Sequence, residues 1–128
     1  MPVAYLDTSA AMKLLLEEEE SAALARELDH EDRHVVASFL LHTELHCAAG
    51  RHPEVVEVDL VNRMLASVEL FDLTRGDLIG AGTHTPLRSN DAIHLEVALR
   101  LGVDELATYD KELADRAHRA GLVILAPS

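Results

Sequence analysis

The chain has 128 residues, enough for one compact domain, and carries 11 Lys and Arg against 23 Asp and Glu, a formal net charge of −12. Apolar residues make up 48% of the chain, so a buried core can form and a wholly disordered chain is excluded. Aromatic residues make up only 3%, which excludes a platform of aromatic side chains stacked against single-stranded bases. The negative charge excludes a sequence-independent nucleic-acid binder with a broad basic face.

Five short apolar runs along the chain are typical of buried strands. The predicted strands cover residues 3–6, 34–37, 68–73, 106–108 and 122–125. Between them lie segments with apolar residues at helical spacing, several of which end at a glycine. We expect a first helix capped by Thr8 or Ser9 and reaching Leu16, a second ending near Asp29, and further helices over 39–50, 53–68, 74–80, 91–101 and 111–120.

This alternation of short strands and helices predicts an α/β fold, with a mainly parallel sheet of about five strands flanked by helices. The sequence shows no internal repeat, linker or low-complexity segment, so we expect residues 1–128 to form a single domain. No basic region precedes a long apolar run at the N-terminus, and no apolar stretch reaches the roughly 18 residues of a membrane span. We therefore expect a cytoplasmic protein without a membrane partner.

Four acidic residues lie where a parallel α/β sheet usually has its active site, at the carboxyl ends of the strands. Asp7 follows the first predicted strand and Asp110 the fourth, while Asp91 begins a strongly apolar helix and Glu44 lies within another. Each has a structural alternative, because the three aspartates can act as helix caps and Glu44 can face solvent. Carboxylates that converge in one cleft repel one another, and a divalent cation such as Mg²⁺ or Mn²⁺ is the usual remedy.

The single cysteine and the histidines carry weaker signals. Cys47 lies in an apolar helical run, and we interpret it as a small buried residue. His42 and His46 are four residues apart on one helix face, a spacing that suits zinc, but ordinary histidines are the simpler interpretation. His94 lies one helical turn after Asp91, where it either supports the acids from the core or contacts a substrate.

Several segments together carry a family resemblance. The first two are Tyr5-Leu6-Asp7-Thr8-Ser9-Ala10 and Thr43-Glu44-Leu45. The next two are Arg88-Ser89-Asn90-Asp91-Ala92-Ile93-His94-Leu95 and Thr108-Tyr109-Asp110-Lys111-Glu112-Leu113, and the closing strand is Gly121-Leu122-Val123-Ile124-Leu125. In this order they resemble the motifs of PIN-domain ribonucleases, specifically the VapC toxins of bacterial and archaeal toxin–antitoxin pairs.

The resemblance implies a three-layer α/β/α PIN-like domain and metal-dependent hydrolysis of RNA phosphodiester bonds. The implied acidic cluster, which would bind Mg²⁺ or Mn²⁺, consists of Asp7, Glu44, Asp91 and Asp110. Ser9 and Thr108 are the implied supporting hydroxyls, and from its position we add His94 to this supporting set. The resemblance further implies the toxin of a type II toxin–antitoxin system, a homodimer, and inhibition by a VapB-type antitoxin.

Two other functions stay open at this point. An Asp at a strand end also serves other Mg²⁺-dependent phosphoryl-transfer enzymes, although Asp7 lacks the second acid two residues on that common aspartyl phosphatases have. The apolar side of the helix predicted over 53–68 can instead be a partner surface on a non-catalytic interaction module. If RNA is the substrate, we expect a limited footprint around Arg51, Arg75 and Arg88, because the remaining charge is acidic.

Overall fold

A computed structural model describes residues 2–128, except for the side chain of Glu31. The described residues form one sheet of five strands, β1 (Val3–Leu6), β2 (His34–Ser38), β3 (Glu69–Phe71), β4 (Glu105–Ala107) and β5 (Val123–Leu125). All neighbouring strands are parallel, in the order β3-β2-β1-β4-β5. In this register Tyr5 of β1 lies beside Val36 of β2 and Leu106 of β4, so β1 is the central strand.

Seven α-helices connect the strands within the described range. They are α1 (Thr8–Leu15), α2 (Ser21–Asp29), α3 (Phe39–Arg51), α4 (Val58–Ala66), α5 (Arg75–Ala81), α6 (Ser89–Leu101) and α7 (Lys111–Arg119). A short 3-10 helix, His30–Asp32, follows α2. No helix in residues 2–128 has the length and apolarity needed to cross a bilayer.

The two faces of the sheet are covered by different helices, which gives the expected three layers. Successive strand residues point to opposite faces, so Ala4 and Leu6 pack with the buried residues of α1 to α4. Tyr5 points the other way and packs with buried residues of α6 and α7, such as Leu95 and Leu113. The α/β/α architecture with a parallel sheet, predicted from the sequence, is confirmed.

The order of the strands locates a cleft in the sheet. From β1 the chain moves outward through β2 to β3, and then crosses back to β4 and β5 on the other side of β1. The connections therefore reverse direction between β1 and β4, and ligands of open parallel sheets bind at the carboxyl edge of such a reversal. Asp7 follows β1 and Asp110 follows β4, so both lie at this point.

The helix predicted from Pro53 begins later in the structure, and this expectation was wrong. The helix α3 continues to Arg51, and the backbone N–H groups of Val55 and Val56 bond to the carbonyl of His52 in a turn. The next helix begins only at Val58. A proline disfavours the helical conformation of the residue before it, so the break falls at His52, and the turn after it uses five residues of the predicted helix, 53–57.

Two predicted helix caps were also wrong. Asp7, rather than Thr8 or Ser9, is the cap of α1, since its backbone is extended and its carboxylate accepts the N–H of Ala10. The helix α6 begins at Ser89 with Arg88 as its cap residue, so Asp91 lies within the first helical turn. A carboxylate in the first turn still benefits from the positive end of the helix dipole.

Cys47 is exposed, so its interpretation as a buried residue was wrong. The buried residues of α3 are Leu41, Leu45 and Ala49, which recur every four residues on one face. At 100° per residue, Cys47 lies about 200° around the helix from Leu45, on the opposite face. Because the segment is apolar on several faces, its sequence does not show which face of the helix is buried.

Candidate active site

Asp7 lies at the centre of the carboxyl edge of the sheet, and it is only 2% exposed. Its Oδ1 accepts hydrogen bonds from the backbone N–H of Ala10 and from the Ser9 hydroxyl, both at 2.8 Å. Its Oδ2 accepts the Thr108 hydroxyl at 2.5 Å. Burial raises the pKa of Asp7, and these donors oppose that rise by favouring the carboxylate. The side chain is thereby held in one orientation.

The hydroxyls of Ser9 and Thr108 are aimed at Asp7 by the loop between β4 and α7. Ser9 Oγ accepts a backbone N–H of this loop at 2.9 Å. Thr108 Oγ1 accepts the backbone N–H of Asp110 at 3.1 Å. Because each hydroxyl oxygen accepts from the backbone, its single proton is free to be donated to Asp7. The structure thus places both hydroxyls, which the family resemblance implied as supporting groups, within hydrogen-bond distance of Asp7.

Glu44 reaches from α3 to donors on two other helices. Its Oε1 accepts the hydroxyl of Thr8 at 2.6 Å and the Nε2–H of His94 at 2.7 Å, and its Oε2 accepts the Asn90 amide at 3.2 Å. Burial disfavours the charged carboxylate, but these hydrogen bonds, led by the one from His94, outweigh it and lower the pKa of Glu44. Because three side chains donate hydrogen bonds to it, Glu44 does not simply face solvent.

Asp91 and Asp110 complete the group of acids. Asp110 caps α7, with its Oδ1 accepting the backbone N–H of Leu113 at 2.9 Å. The Asp91 carboxylate accepts no hydrogen bond from the described residues. Its pKa is raised to about 6, first by burial and then by the negative charges of Asp110, Asp7 and Glu44, while His94 acts in the opposite direction. Thr108 Oγ1 bonds to both Asp7 and the backbone of Asp110, and Asn90, the neighbour of Asp91, donates to Glu44, so the four acids lie in one cleft.

The chemistry of this cleft fits a divalent cation. Carboxylate oxygens are ligands that Mg²⁺ and Mn²⁺ prefer, and a bound cation relieves the repulsion that acts on Asp91. In the described part of the chain, no group of three or more His, Cys, Asp or Glu side chains is already arranged around a metal position. The oxygens of Asp7 and Glu44 point instead at protein donors. The acids therefore fit a cation by the type of their ligand atoms, and Glu44 Oε2 keeps capacity for it beside its 3.2 Å bond from Asn90.

Three residues that contact the site were missed by sequence reasoning. Thr8 was expected only as a helix cap and Asn90 as part of a motif, yet both donate to Glu44. The Tyr5 hydroxyl lies 2.7 Å from His94 Nδ1. A signal for Tyr5 existed, because a tyrosine in a buried strand needs a partner for its hydroxyl. His94 is 1% exposed and contacts Glu44 from the core.

The three arginines proposed to contact RNA are all exposed but differ in position. Arg88 lies one helical turn before Asp91, and Arg75 begins α5 after β3, so both lie at the carboxyl edge of the sheet. Arg51 ends α3, about two turns or 10 Å of helix beyond Glu44. Arg88 thus lies three residues before an acid of the cleft, whereas Arg51 lies at the far end of its helix from the carboxyl edge.

His42 and His46 contact each other, the backbone of their own helix and a residue of α4. Their rings stack with centroids 4.2 Å apart. His46 uses both ring nitrogens, Nδ1 on the carbonyl of His42 at 2.9 Å and Nε2 on Asn62 Oδ1 at 3.0 Å. These contacts account for the four-residue spacing without a ligand.

Known proteins can be compared with this geometry. The family model of the PIN domain matches residues 4–119. The chain belongs to the PIN-domain family. It is 41% identical to Ribonuclease VapC46 of Mycobacterium tuberculosis (strain ATCC 25618 / H37Rv) over 133 aligned positions, which cover 100% of both chains. This membership confirms the family resemblance that the motifs around the four acids indicated.

Solved PIN-domain structures share the fold. The crystal structure of Mycobacterium tuberculosis VapC20, described as a sarcin–ricin loop cleaving toxin, aligns with a TM-score of 0.75 and 16% identity over 97% of this chain and 99% of that one. A toxin–antitoxin complex from Klebsiella pneumoniae aligns with a TM-score of 0.73 and 17% identity, covering 98% of each chain. At such identities the likeness concerns the fold alone, and it agrees with the three-layer architecture.

Proposed function

We propose that this PIN-domain protein is a divalent-metal-dependent endoribonuclease and the toxin of a type II toxin–antitoxin system. The observation that carries the proposal is the convergence of four acids at the carboxyl edge of the sheet, where burial and then the charges of the other three raise the pKa of Asp91. Full-length identity of 41% to a protein named a ribonuclease supports RNA as the substrate. Because the family match spans residues 4–119, we take residues 1–128 as one PIN unit.

In this proposal Asp7 and Asp91 are the main ligands of Mg²⁺ or Mn²⁺, and Glu44 and Asp110 complete the site directly or through water. When bound, the ion supplies Lewis acidity at the phosphoryl oxygens and lowers the pKa of a water molecule. Ser9 and Thr108 keep Asp7 in place through their hydroxyl protons. Carboxylates that do not contact the ion orient the attacking water and accept its proton.

The structure favours neither alternative function. A phosphoacceptor role lacks the second acid that common aspartyl phosphatases have two residues after the first, because Ser9 follows Asp7 at that position. An interaction module would need the apolar side of α4 as a free surface, but Val61 and Leu65 of that side are buried in the core. The acidic cleft therefore supports the nuclease proposal better than either alternative.

The proposal includes three partners. RNA is the substrate, with Arg51, Arg75 and Arg88 as candidate contacts to its phosphates. An antitoxin of the VapB type is supported by the likeness in fold to a toxin–antitoxin complex, and a homodimer is expected from the family resemblance. Because the cleft is rich in carboxylates, we propose that the antitoxin inhibits by placing an arginine side chain among them.

Cleavage of total RNA by the purified chain tests the function. We expect cleavage with Mg²⁺ or Mn²⁺, none with EDTA, and recovery when the metal is restored. Asp7→Asn and Asp91→Asn keep the shape of each side chain but remove its charge. Each is expected to lower the cleavage rate by at least about 100-fold, because loss of a metal ligand costs more than the roughly 10–100-fold loss of a group behind one.

Asp29→Asn is a matched control for these variants. Asp29 is exposed at the end of α2, shortly before β2 begins, and so lies toward the amino edge of the sheet, away from the cleft. We expect this variant to cleave RNA like the wild type. Full activity in both Asp7→Asn and Asp91→Asn, at unchanged melting temperature, would sink the proposal, as would cleavage that EDTA does not affect.

A further inference from the structure

A line of polar side chains runs through the core behind the acids. Ser38 and Tyr5 are both 0% exposed, and His94 is 1% exposed. The Tyr5 hydroxyl lies 3.0 Å from Ser38 Oγ and 2.7 Å from His94 Nδ1. Buried polar groups cost free energy unless they are hydrogen-bonded, and here each one is. The proposed ribonuclease mechanism assigns no role to Tyr5 or Ser38.

The imidazole of His94 is held on both sides. Its Nδ1 bonds to Tyr5, and its Nε2 donates to Glu44, because a carboxylate can only accept. The ring also packs edge-on against the Tyr5 ring, with centroids 5.6 Å apart and an angle of 69° between the planes. Thr8 Oγ1 also lies 3.2 Å from Nε2. With both nitrogens bonded and the ring packed, His94 is held in one orientation, and Tyr5 supplies the bond at Nδ1 and the ring contact.

Glu44 depends on this orientation. Its side chain extends from α3 across to α1 and α6, and its Oε1 is held between the Thr8 hydroxyl and His94. Its Oε2 has only the longer 3.2 Å bond from Asn90, so it is the oxygen with capacity left for the cleft. A glutamate has several rotatable bonds, and fixing it requires donors that are themselves fixed.

We propose that Tyr5, anchored by Ser38, is a positioning residue that acts through His94 to hold Glu44 in the orientation that receives the divalent cation. This inference rests on the proposed metal-dependent function. It means that the Tyr5 hydroxyl, on β1 in the core, affects the orientation of the Glu44 carboxylate on α3. Groups that orient a metal ligand from behind commonly affect metal affinity by about 10–100-fold.

Binding of Mn²⁺, followed by electron paramagnetic resonance without RNA, tests the proposal. Tyr5→Phe removes only the hydroxyl and is expected to weaken Mn²⁺ binding about 10-fold. Tyr109→Phe is the matched control, since its hydroxyl donates to the carbonyl of Pro127 at 2.7 Å and contacts no acid. We expect wild-type affinity for Tyr109→Phe.

A double-mutant cycle separates positioning from general loosening of the fold. If Tyr5 acts through Glu44, Tyr5→Phe lowers the Mn²⁺ affinity no further in a Glu44→Gln background. If its effect is only structural, the losses of Mn²⁺ affinity from the two substitutions add. Imidazole ¹⁵N spectra supply a readout without metal: Nε2 of His94 should be protonated, and the Nδ1 signal should shift in Tyr5→Phe but not in Tyr109→Phe.

The outcomes for the two proposals differ. Wild-type Mn²⁺ binding that Asp7→Asn abolishes and Tyr5→Phe leaves unchanged overturns the role of Tyr5 and keeps the proposed function. Additive losses in the double mutant, or an unprotonated Nε2, also overturn it. A wild-type protein that binds no Mn²⁺ and cleaves no RNA overturns both proposals.

Discussion

At the scale of single residues, the acids of the cleft differ in the donors that reach them. Glu44 receives bonds from Thr8 and His94 that lower its pKa, although burial opposes this. Asp7 receives the hydroxyl of Thr108, yet burial prevails and its pKa is raised. Metal ligands bind in their deprotonated form, so these donors help to keep the carboxylates ready to bind.

Thr108→Val tests how much one such donor contributes. The substitution preserves shape, removes the proton given to Asp7, and leaves the backbone N–H of Asp110 without its acceptor. We expect the free energy of unfolding at pH 7 to fall by about 1–3 kcal/mol, the usual cost of unpaired buried groups. Urea denaturation measures this change.

Thr83→Val serves as the control for Thr108→Val. The Thr83 hydroxyl donates to the carbonyl of Gly80 at 2.7 Å but is exposed, so we expect a change within about 0.5 kcal/mol. Equal changes in the two variants would contradict the importance of the Asp7 contact.

At the scale of helices and strands, three helix N-termini meet at the acids. Asp7 caps α1, Asp110 caps α7, and Asp91 lies in the first turn of α6. Each N-terminus carries a partial positive charge that stabilises a nearby carboxylate. From the sequence, capping a helix and lying in the cleft were alternative roles for Asp7 and Asp110. In the structure each of these side chains does both.

The contact between α5 and α6 predicts a pH-dependent stability. Arg100 on α6 bonds to both oxygens of Asp77, at 2.6 and 2.9 Å, and Asp77 is only 1% exposed. The hydrogen bond from Arg100 lowers the pKa of Asp77 below its ordinary value. A lowered pKa means that the pair stabilises the fold above the unfolded pKa of about 4 and loses this effect as the pH falls through the lower folded pKa.

Asp77→Asn is therefore expected to reduce the free energy of unfolding by about 1–3 kcal/mol at pH 7, with the deficit shrinking below pH about 4. Urea unfolding at a series of pH values measures it. Asp115→Asn is the control, because the Asp115–Arg119 pair is exposed and such pairs contribute at most about 0.5 kcal/mol. A deficit for Asp77→Asn that does not depend on pH would contradict the assigned cause.

At the scale of the whole molecule, the net charge of −12 and the cleft have to be reconciled with an RNA substrate. Only four of the 23 acidic residues belong to the cleft, so the rest of the surface weakens attraction for RNA. A cation at the acids would present the scissile phosphate, and few basic side chains would hold its neighbours. We therefore expect selectivity from the shape of the cleft rather than strong general affinity.

The salt dependence of RNA cleavage checks this footprint. Each phosphate contact contributes about 0.7 to the slope of log KM against log salt for single strands. We expect Arg88→Gln to lower the slope by about 0.7, the contribution of one phosphate contact. We expect a smaller change for Arg51→Gln, because Arg51 ends α3 far from Glu44. Arg26→Gln, on exposed α2, should leave the slope unchanged. A larger effect for Arg51 than for Arg88 would contradict this order.

Much of the fold was predictable because its signals are local. The five strands were found within one or two residues, since a short apolar run that ends at a polar residue needs no tertiary information. The break at His52 and the exposed face at Cys47 were predicted wrongly. The break is a local effect of Pro53 on the residue before it, whereas an apolar segment does not by itself show which of its faces is covered.

By itself, the sequence determined the order of the elements, which four acids are candidates for the site, and membership of the PIN-domain family. The tertiary structure decided which polar atoms meet. Thr8, His94 and Asn90 converge on Glu44 from helices distant in the chain, and Tyr5 reaches His94 only because β1 lies beside β2 beneath α6. Hydrogen bonds need atoms within about 3 Å, and strand register and helix packing, rather than local sequence pattern, set distances on that scale.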